Sequence, residues 1–422
     1  MINMSFDIAV IGGGPAGMMA AGQSASLGAK VIIIDKNHNL GQKLLLTGKS
    51  RCNITQAEFN DQEFIKKLGK KGQFLFSALA AFGPEEVIKF FESRGLKTKV
   101  ERGGRVFPAS DKAEEVLEVL LKYLREKKVK ILSDKKVLGF NIKDKKIVSV
   151  KLADQDICAQ SFILCTGGKT YSMTGSTGDG YDWVKSLGHK IVNLVPALVP
   201  IETKEAWPKN LQGLSLKNVR LNLWQNNKKQ DTRFGEMLFT HFGLSGPIVL
   251  DISKKIGELL AKGEVIIEID LKPALDVSQL DKRLQRDFVA NPNKDFKNYL
   301  PDLLPKKIIE TFIEFCGIDA RKKLNAISRQ DRKKIAGILK SLKTKVKKLK
   351  GFNQAIVTNG GVDLKEIDSR TMRSKIIDNL FFAGEIIDLD GPTGGYNLQI
   401  CWSTGFAAGT YAGKKISIGN FQ

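Results

Sequence analysis

The amino-terminal segment constrains the fold of this chain more than any other. A short apolar run, Asp7–Ile11, leads into Gly12-Gly13-Gly14-Pro15-Ala16-Gly17, which matches G-x-G-x-x-G and opens an alanine-rich helical stretch. Such glycines let the backbone approach a pyrophosphate, whose charge the helix amino terminus stabilises. A second apolar run ends in Asp35, about 20 residues past the loop, where a carboxylate can accept hydrogen bonds from a ribose 2'-hydroxyl. The order of strand, loop, helix, strand and acid predicts a nucleotide site on a Rossmann-type α/β domain, although the glycines alone would also suit an ordinary tight turn.

Length and residue usage limit the class of protein. A chain of 422 residues exceeds one simple core and predicts two or three domains. Its apolar runs are strand-sized and its amino terminus lacks signal-peptide features, so we expect a cytoplasmic protein without a membrane segment. The five cysteines follow neither a C-x-x-C nor a zinc spacing, which argues against a disulfide framework, a dithiol redox centre and a metal site.

The formal net charge of +22 is concentrated in one segment. Residues 321–350 contain 13 Lys or Arg and one acid, Asp331. A basic stretch of this kind could neutralise the phosphates of a nucleic acid. A solvated, solubilising surface is the alternative, since no aromatic residue in the segment offers a platform for base stacking.

Changes of composition divide the chain into four segments. The first and last have α/β character with glycine-rich turns, and together they predict a discontinuous nucleotide domain. Between them a proline-containing, strand-rich insert is followed by a basic insert with a helical pattern. The predicted boundaries are 1–192, 193–275 for the β insert and possible substrate domain, 276–350 for the helical insert, and 351–422.

Three further glycine-rich clusters indicate a cofactor larger than a nicotinamide dinucleotide. They lie at residues 41–55, 165–180 and 383–399, and the third precedes an apolar helical stretch. The amino terminus of such a helix can lie beside the pyrimidine edge of a flavin and stabilise negative charge there.

Four motifs together resemble a bacterial flavoprotein family that includes aminoacetone-oxidase-like enzymes and the flavin reductase of bile-acid dehydroxylation. They are residues 41–55, the run 238–247 (LFTHFGLSGP), the run 358–362 (TNGGV) and the run 394–399 (GGYNLQ). The resemblance spans essentially the whole chain. It implies a glutathione-reductase-type FAD domain, of the Rossmann class, interrupted by a mostly β domain and a small helical domain.

The resemblance also implies which residues hold FAD. The pyrophosphate would lie on Gly12, Gly14, Pro15, Ala16 and Gly17, the adenosine ribose on Asp35 and Lys36, and the adenine at the backbone of Val137. The ribityl chain and the isoalloxazine ring would lie along Lys43, Arg51, Cys52 and Asn53. The residues that close the site would be Thr166, Gly167, Gly384, Glu385, Asn397, Leu398 and Gln399. One departure is Arg373 in the T-M-x-S-K stretch, where an acid is expected; it falls on no assigned cofactor contact.

Three residues are candidates for the catalytic acid or base. His241 can donate a proton near neutral pH, Cys52 could act as a protonating thiol, and Tyr396 could donate a hydrogen bond to a substrate. Each has an equally plain structural alternative: a histidine bonded to backbone, a packed cysteine and a packed aromatic ring.

The expected activity is that of an FAD-dependent oxidoreductase that transfers hydride between flavin N5 and a substrate. No second G-x-G-x-x-G is present, so NAD(P)H is expected to reduce the flavin only as a transient visitor. The substrate is left open between a small molecule and ribosomal RNA. The alternatives are a uridine reductase that forms dihydrouridine in ribosomal RNA through the basic insert, and a small-molecule amine oxidase; the oligomeric state is not predicted.

Overall fold

The computed structural model describes residues 5–419 and divides into two compact units. The sheet unit comprises the chain up to Pro196 together with the chain from Ala355 onward, and the barrel unit comprises Ala197–Gln354. The sheet unit is therefore discontinuous in sequence.

Strands and helices alternate through the first part of the sheet unit. Its elements are β1 (Ser5–Ile11), α1 (Pro15–Ser26), β2 (Val31–Ile34), α2 (Gln42–Leu46), β3 (Thr55–Gln56), α3 (Asp61–Lys67), α4 (Phe76–Ala81), α5 (Pro84–Glu92), β4 (Thr98–Glu101), β5 (Arg105–Pro108), α6 (Ala113–Glu126), β6 (Lys130–Leu132), β7 (Gly139–Lys143), β8 (Lys146–Lys151), β9 (Asp156–Leu164), α7 (Asp179–Ser186) and β10 (Ile191–Ala197).

The barrel unit combines an antiparallel barrel with helices. Its elements are β11 (Ile201–Thr203), α8 (Trp207–Asn210), β12 (Ser215–Gln225), β13 (Lys228–Thr240), β14 (Gly243–Ser245), α9 (Pro247–Leu260), β15 (Ile266–Asp270), α10 (Val277–Ala290), α11 (Phe296–Tyr299), α12 (Ile309–Cys316), α13 (Arg329–Lys340) and β16 (Leu342–Leu349). The strands close in the order β11-β14-β13-β12-β15-β16. Barrel residues such as Leu221 and helical residues such as Leu284 and Ile335 belong to one buried cluster, so the β insert and the helical insert share a core.

The helical pattern expected up to Lys350 is wrong for its last part, because Leu342–Leu349 form strand β16. From Leu342 to Lys347 the residues alternate strictly between buried and exposed, which is the period of a strand and not of a helix. The lysines occupy the exposed positions, while Leu342, Thr344 and Val346 are buried. Lysine is a good helix former, but the pattern of burial overrides that propensity.

The chain then returns to the sheet unit as β17 (Val357–Val362), β18 (Leu380–Phe382) and α14 (Tyr396–Gly419). The main sheet has the order β6-β2-β1-β9-β8-β7, and β18 adds to the far edge of β9. Strands β6, β2, β1, β9 and β18 are parallel, whereas β7 and β8 form an antiparallel hairpin. Residues 31–34 are buried throughout, as expected for a parallel strand covered on both faces. The expected α/β Rossmann-type fold with inserted domains is confirmed.

Helix α14 packs against α1 in the same direction. A Cβ at Gly405 would lie 2.5 Å from Ala16 O, and one at Gly409 would lie 2.4 Å from Ala20 O, so glycine is what allows the close approach. The Ser24 hydroxyl also donates to Gly409 O at 3.0 Å. Both helices therefore direct their amino termini toward the same side of the unit.

Candidate functional site

The carboxyl ends of β1 and β9 meet at the glycine loop. Gly12 has φ +102°, and a Cβ there would lie 2.4 Å from Cys165 O, at the end of β9. Gly14 differs, because no atom of the described chain lies within 4 Å of a Cβ placed on it. The first turn of α1 contains no acidic residue, and no side chain in the described chain caps it. The amino end of α1 therefore presents N–H groups and positive dipole to an open space that suits an anion.

Asp35 is fixed at the mouth of this space. Its Oδ2 accepts a hydrogen bond from Gly13 N at 2.6 Å, and its Oδ1 accepts one from Asn37 N at 2.7 Å. A carboxylate oxygen has further lone pairs for ribose hydroxyls. Asp35 also holds the next segment, because Asp35 O accepts from Lys135 N at 3.0 Å; Val137 follows there, buried in the loop before β7. The charge of Lys36 is directed elsewhere, toward Asp179 at 2.9 Å.

Glu385 connects segments that are distant in sequence. Lys43 Nζ donates to Glu385 Oε2 at 2.6 Å and to Thr170 Oγ1 at 2.8 Å. The other carboxylate oxygen, Oε1, accepts from Thr358 N at 2.8 Å. The phenol of Tyr181 donates to the backbone carbonyl of Glu385 at 3.2 Å, and burial raises the pKa of that phenol, which therefore stays protonated. The network gathers parts of three of the glycine-rich clusters around one ion pair.

The amino terminus of α14 is built from side chains that bond within the protein. Asn397 Oδ1 accepts from Gly391 N and its Nδ2 donates to Gly391 O, both at 2.9 Å. Gln399 Oε1 accepts from Thr55 Oγ1 at 2.5 Å, and its Nε2 donates to Phe82 O at 3.0 Å. The amide groups of both side chains thus shape the loop, and the positive end of the α14 dipole is what this segment offers a ligand.

The loop after α2 adopts an unusual backbone. Lys49, Ser50 and Cys52 all have positive φ, between 58° and 62°. Arg51 lies among them, and its guanidinium turns toward Glu101 and Asp111. The backbone and the neighbouring residues of the loop, rather than the Arg51 charge, are what this segment can offer a ligand.

Two buried polar atoms among the expected FAD contacts have no partner. Within residues 5–419, Asn53 Oδ1 and Thr166 Oγ1 are buried without a hydrogen bond. Such orphans are rare in folded proteins, and a ligand with donors and acceptors explains them. Together with the open amino end of α1, they fit FAD, which carries an anionic pyrophosphate and several polar groups.

Among residues 5–419 no cluster of His, Cys, Asp or Glu suits a metal ion, and no helix is both long and apolar enough to cross a bilayer.

The three catalytic candidates differ in their surroundings. Cys52 is fully buried, which raises the pKa of its thiol to about 12 although a hydrogen bond with Thr47 opposes the shift. Such a thiol stays protonated at neutral pH and is a weak acid. The Tyr396 ring is buried and lies 4.8 Å from the ring of Phe64. His241 is exposed at the turn between β13 and β14, in the barrel unit.

Sequence reasoning missed the histidine with the most specific environment. His189 has a side chain that is 0% exposed; its Nδ1 lies 3.1 Å from Glu366 Oε2 and its Nε2 lies 2.9 Å from Ser374 Oγ. Ser374 Oγ accepts from Ile376 N at 3.0 Å and from Ile377 N at 2.8 Å, which occupies both of its lone pairs. The serine hydroxyl therefore donates to Nε2, and the Nδ1–H donates to Glu366. No local motif marked His189, because its partners lie 177 and 185 positions later in the chain.

Comparison with known proteins decides the family. Residues 6–411 match the family described as HI0933-like protein Rossmann domain. The chain belongs to this family. The HI0933-like chain is 33% identical over 412 residues to the 3-dehydro-bile acid delta(4,6)-reductase of Clostridium scindens, with 97% of this chain and 99% of that enzyme covered. It is 30% identical over 403 residues to the ribosomal RNA dihydrouridine synthase of Escherichia coli, with 95% and 96% covered.

Solved structures show the same fold at lower identity. A flavocytochrome c3 fumarate reductase in its open conformation matches with a TM-score of 0.54 at 18% identity, over 97% of this chain and 78% of that one. The 3-ketosteroid delta1-dehydrogenase of Sterolibacterium denitrificans matches with a TM-score of 0.53 at 14% identity, over 97% and 100%. The expected membership of a flavoprotein family is confirmed, and this HI0933-like protein is an FAD-dependent oxidoreductase.

Proposed function

We propose that this protein is an FAD-dependent reductase that saturates a carbon–carbon double bond conjugated with a carbonyl group, using NAD(P)H to reduce the flavin. Two named relatives favour this chemistry, since one is a delta(4,6)-reductase of a 3-dehydro-bile acid and another makes dihydrouridine. Both names describe the addition of hydrogen across a C=C bond that a nearby carbonyl can activate.

The observation that carries the proposal is the stagger of two parallel helices. Gly405 of α14 lies beside Ala16 of α1, so α14 begins eight residues further out than α1, which is roughly 12 Å at 1.5 Å per residue. One positive helix end is thus available for a pyrophosphate and a second, further out, for the flavin ring. The second suits a redox cofactor because reduction adds negative charge to the ring.

The chain's own groups have distinct tasks in this reaction. The amino end of α1 binds the pyrophosphate, and Asp35 orients the ribose. Glu385 and Thr170 hold the Lys43 ammonium in place and leave one of its three N–H groups to donate to a ligand. FAD, when bound, accepts and releases hydride at N5. Cys52, Tyr396 and His241 are proposed donors of the accompanying proton; burial raises the pKa of the Cys52 thiol to about 12, which makes that group a weak acid for this task.

The test is an anaerobic titration followed by visible absorbance. Purified protein is reduced with NADH or NADPH and then mixed with a 3-oxo-Δ4 steroid, a non-conjugated alkene of the same skeleton, or ribosomal RNA. Bleaching by the nicotinamide and reoxidation by the enone alone supports the proposal. Bleaching of the oxidised enzyme by a primary amine, which would give up hydride to the flavin and leave as the imine, would instead indicate an amine oxidase.

A second candidate is a uridine reductase that acts on ribosomal RNA. The net charge of +22 and the similarity to ribosomal RNA dihydrouridine synthases favour it. The lysines of β16 weaken it, because each has an acidic neighbour: Lys343 with Glu268, Lys345 with Glu264, and Lys347 and Lys348 with Glu202, at 2.8 to 3.7 Å. Reoxidation by RNA, with dihydrouridine in the product, would select this candidate.

A further inference from the structure

The loop that follows α2 is held in a conformation that its own residues disfavour. Gly48, Lys49, Ser50 and Cys52 have φ of +59°, +59°, +62° and +58°. Residues other than glycine rarely adopt this left-handed region, because their Cβ approaches the following carbonyl oxygen. A run of this kind persists only where surrounding contacts determine it.

Arg51 makes several of those contacts from within the run. Its Nε and Nη2 lie 2.8 Å and 2.6 Å from Asp111 Oδ1, and its Nη2 also pairs with Glu101. The guanidinium carbon lies 4.0 Å from the centroid of the Phe107 ring. A planar guanidinium that is bonded in its plane and stacked on its face has little freedom to rotate.

The two acids are fixed in turn by other cations. Lys99 Nζ lies 2.7 Å from Asp111 Oδ2, and Arg105 Nη2 lies 3.7 Å from Glu101 Oε2. These residues lie on the β4–β5 hairpin and just before α6. Two backbone bonds join the same elements to the loop, from Ile54 N to Val106 O at 2.8 Å and from Ala113 N to Ser50 O at 3.1 Å.

We propose that Glu101 and Asp111 are positioning residues for the flavin: through Arg51 they impose the left-handed loop that presents Asn53 to the cofactor. Asn53 follows the strained run directly, and its buried Oδ1 lacks a partner within the described chain. The inference rests on the proposed assignment of residues 47–55 to the flavin site. The proposal gives Arg51 an indirect role, since its side chain binds Glu101 and Asp111 and not the cofactor.

The experiment compares apoprotein variants for FAD binding and holoprotein variants for midpoint potential. The variants are Glu101→Gln, Asp111→Asn, the double variant that combines these two, Arg51→Gln and Arg51→Lys. Glu118→Gln is a matched control that removes the exposed ion pair with Arg125 on α6. We expect each acid variant to weaken FAD binding about fivefold to tenfold and to change the potential and the shape of the visible flavin band. The double acid variant should match Arg51→Gln, because both acids act through one partner.

The control should leave the FAD dissociation constant and the potential unchanged, and Arg51→Lys should restore part of the affinity. Should Glu101→Gln fail to fold, Asp111→Asn still tests the idea, since Asp111 is the more exposed acid. Wild-type affinity and potential in folded acid variants would overturn the proposal. Failure of the reductase proposal is a separate outcome, because none of these readouts uses a substrate or NAD(P)H.

Discussion

The amino end of α1 and the strand β16 both carry positive charge, but only the charges of β16 form ion pairs with acidic side chains. The first turn of α1 has no acidic residue and, within the described chain, no side-chain cap. On β16 the exposed lysines face Glu268, Glu264 and Glu202 across the barrel surface. The region with the fewest charged residues is therefore the better prepared for an anion.

The difference shows why a count of basic residues is a poor guide to a partner. Cross-strand pairs place an acid opposite a lysine, as Glu268 lies opposite Lys343 in the β15–β16 register. Such pairs cancel much of the field at a distance, whereas the peptide dipoles of a helix add along its axis.

The largest expected effect separates two glycines of the first loop. Gly12→Ala should reduce FAD binding at least 100-fold and lower stability, because a Cβ at φ +102° would overlap Cys165 O. Gly14→Ala should keep the stability of the apoprotein and still weaken FAD binding about tenfold, because only the open space is filled. Thermal melts of apoprotein and FAD titration check both; unchanged FAD affinity in Gly14→Ala would show that this space is not the pyrophosphate site.

The next effect concerns the Lys43–Glu385 pair, which is less exposed than the β16 pairs. Glu385→Gln leaves the Lys43 ammonium without its carboxylate, at 16% to 20% side-chain exposure, and should destabilise the protein by about 1–3 kcal/mol. FAD affinity should fall with it. Urea unfolding of Glu385→Gln, Lys43→Met and the double variant measures the coupling energy. The surface control is Glu264→Gln, which should cost less than about 1 kcal/mol, and an equal cost for both would erase the contrast.

A smaller effect on stability is expected from the buried His189, and it depends on pH. Burial lowers the pKa of His189 below its ordinary value, so the folded state holds it neutral while the unfolded state binds the proton. Its contribution to stability is therefore present above the unfolded pKa of about 6.5 and is lost as the pH falls below it. His189→Gln should flatten the slope of melting temperature against pH between about 6.5 and 5. A slope that persists in His189→Gln assigns it to another group.

The smallest effect is expected for the β16 lysines. Replacing Lys343, Lys345, Lys347 and Lys348 with Gln should change the affinity for ribosomal RNA by less than about threefold, since each of the four already has an acidic neighbour, with Glu202 shared by Lys347 and Lys348. If all four contacted phosphates, the slope of log affinity against log salt would instead decrease by about 3 to 4. Filter binding at several salt concentrations distinguishes these outcomes, and the larger change would restore β16 as an RNA surface.

Much of the sheet unit was predictable because its signals are local. The first βαβ segment, the helix Ala113–Glu126 and the strand ending at Leu164 all follow from apolar periodicity and flanking glycines. Strand β16 was predicted as helix because a run rich in lysine favours a helix by propensity, and only the alternation of buried and exposed residues identifies it as a strand. The stripe of Gly405 and Gly409 was readable as spacing, but its partner helix was not.

The sequence by itself determined the nucleotide loop, the acid after the second strand and the family, since each depends on residues close together in the chain or on their order along it. Only the tertiary structure decided which side chains meet. Glu385 reaches Lys43 across 342 positions, and Arg51 reaches Asp111 across 60. Pairings over such separations depend on how the sheet and its loops are assembled, and no local propensity encodes them.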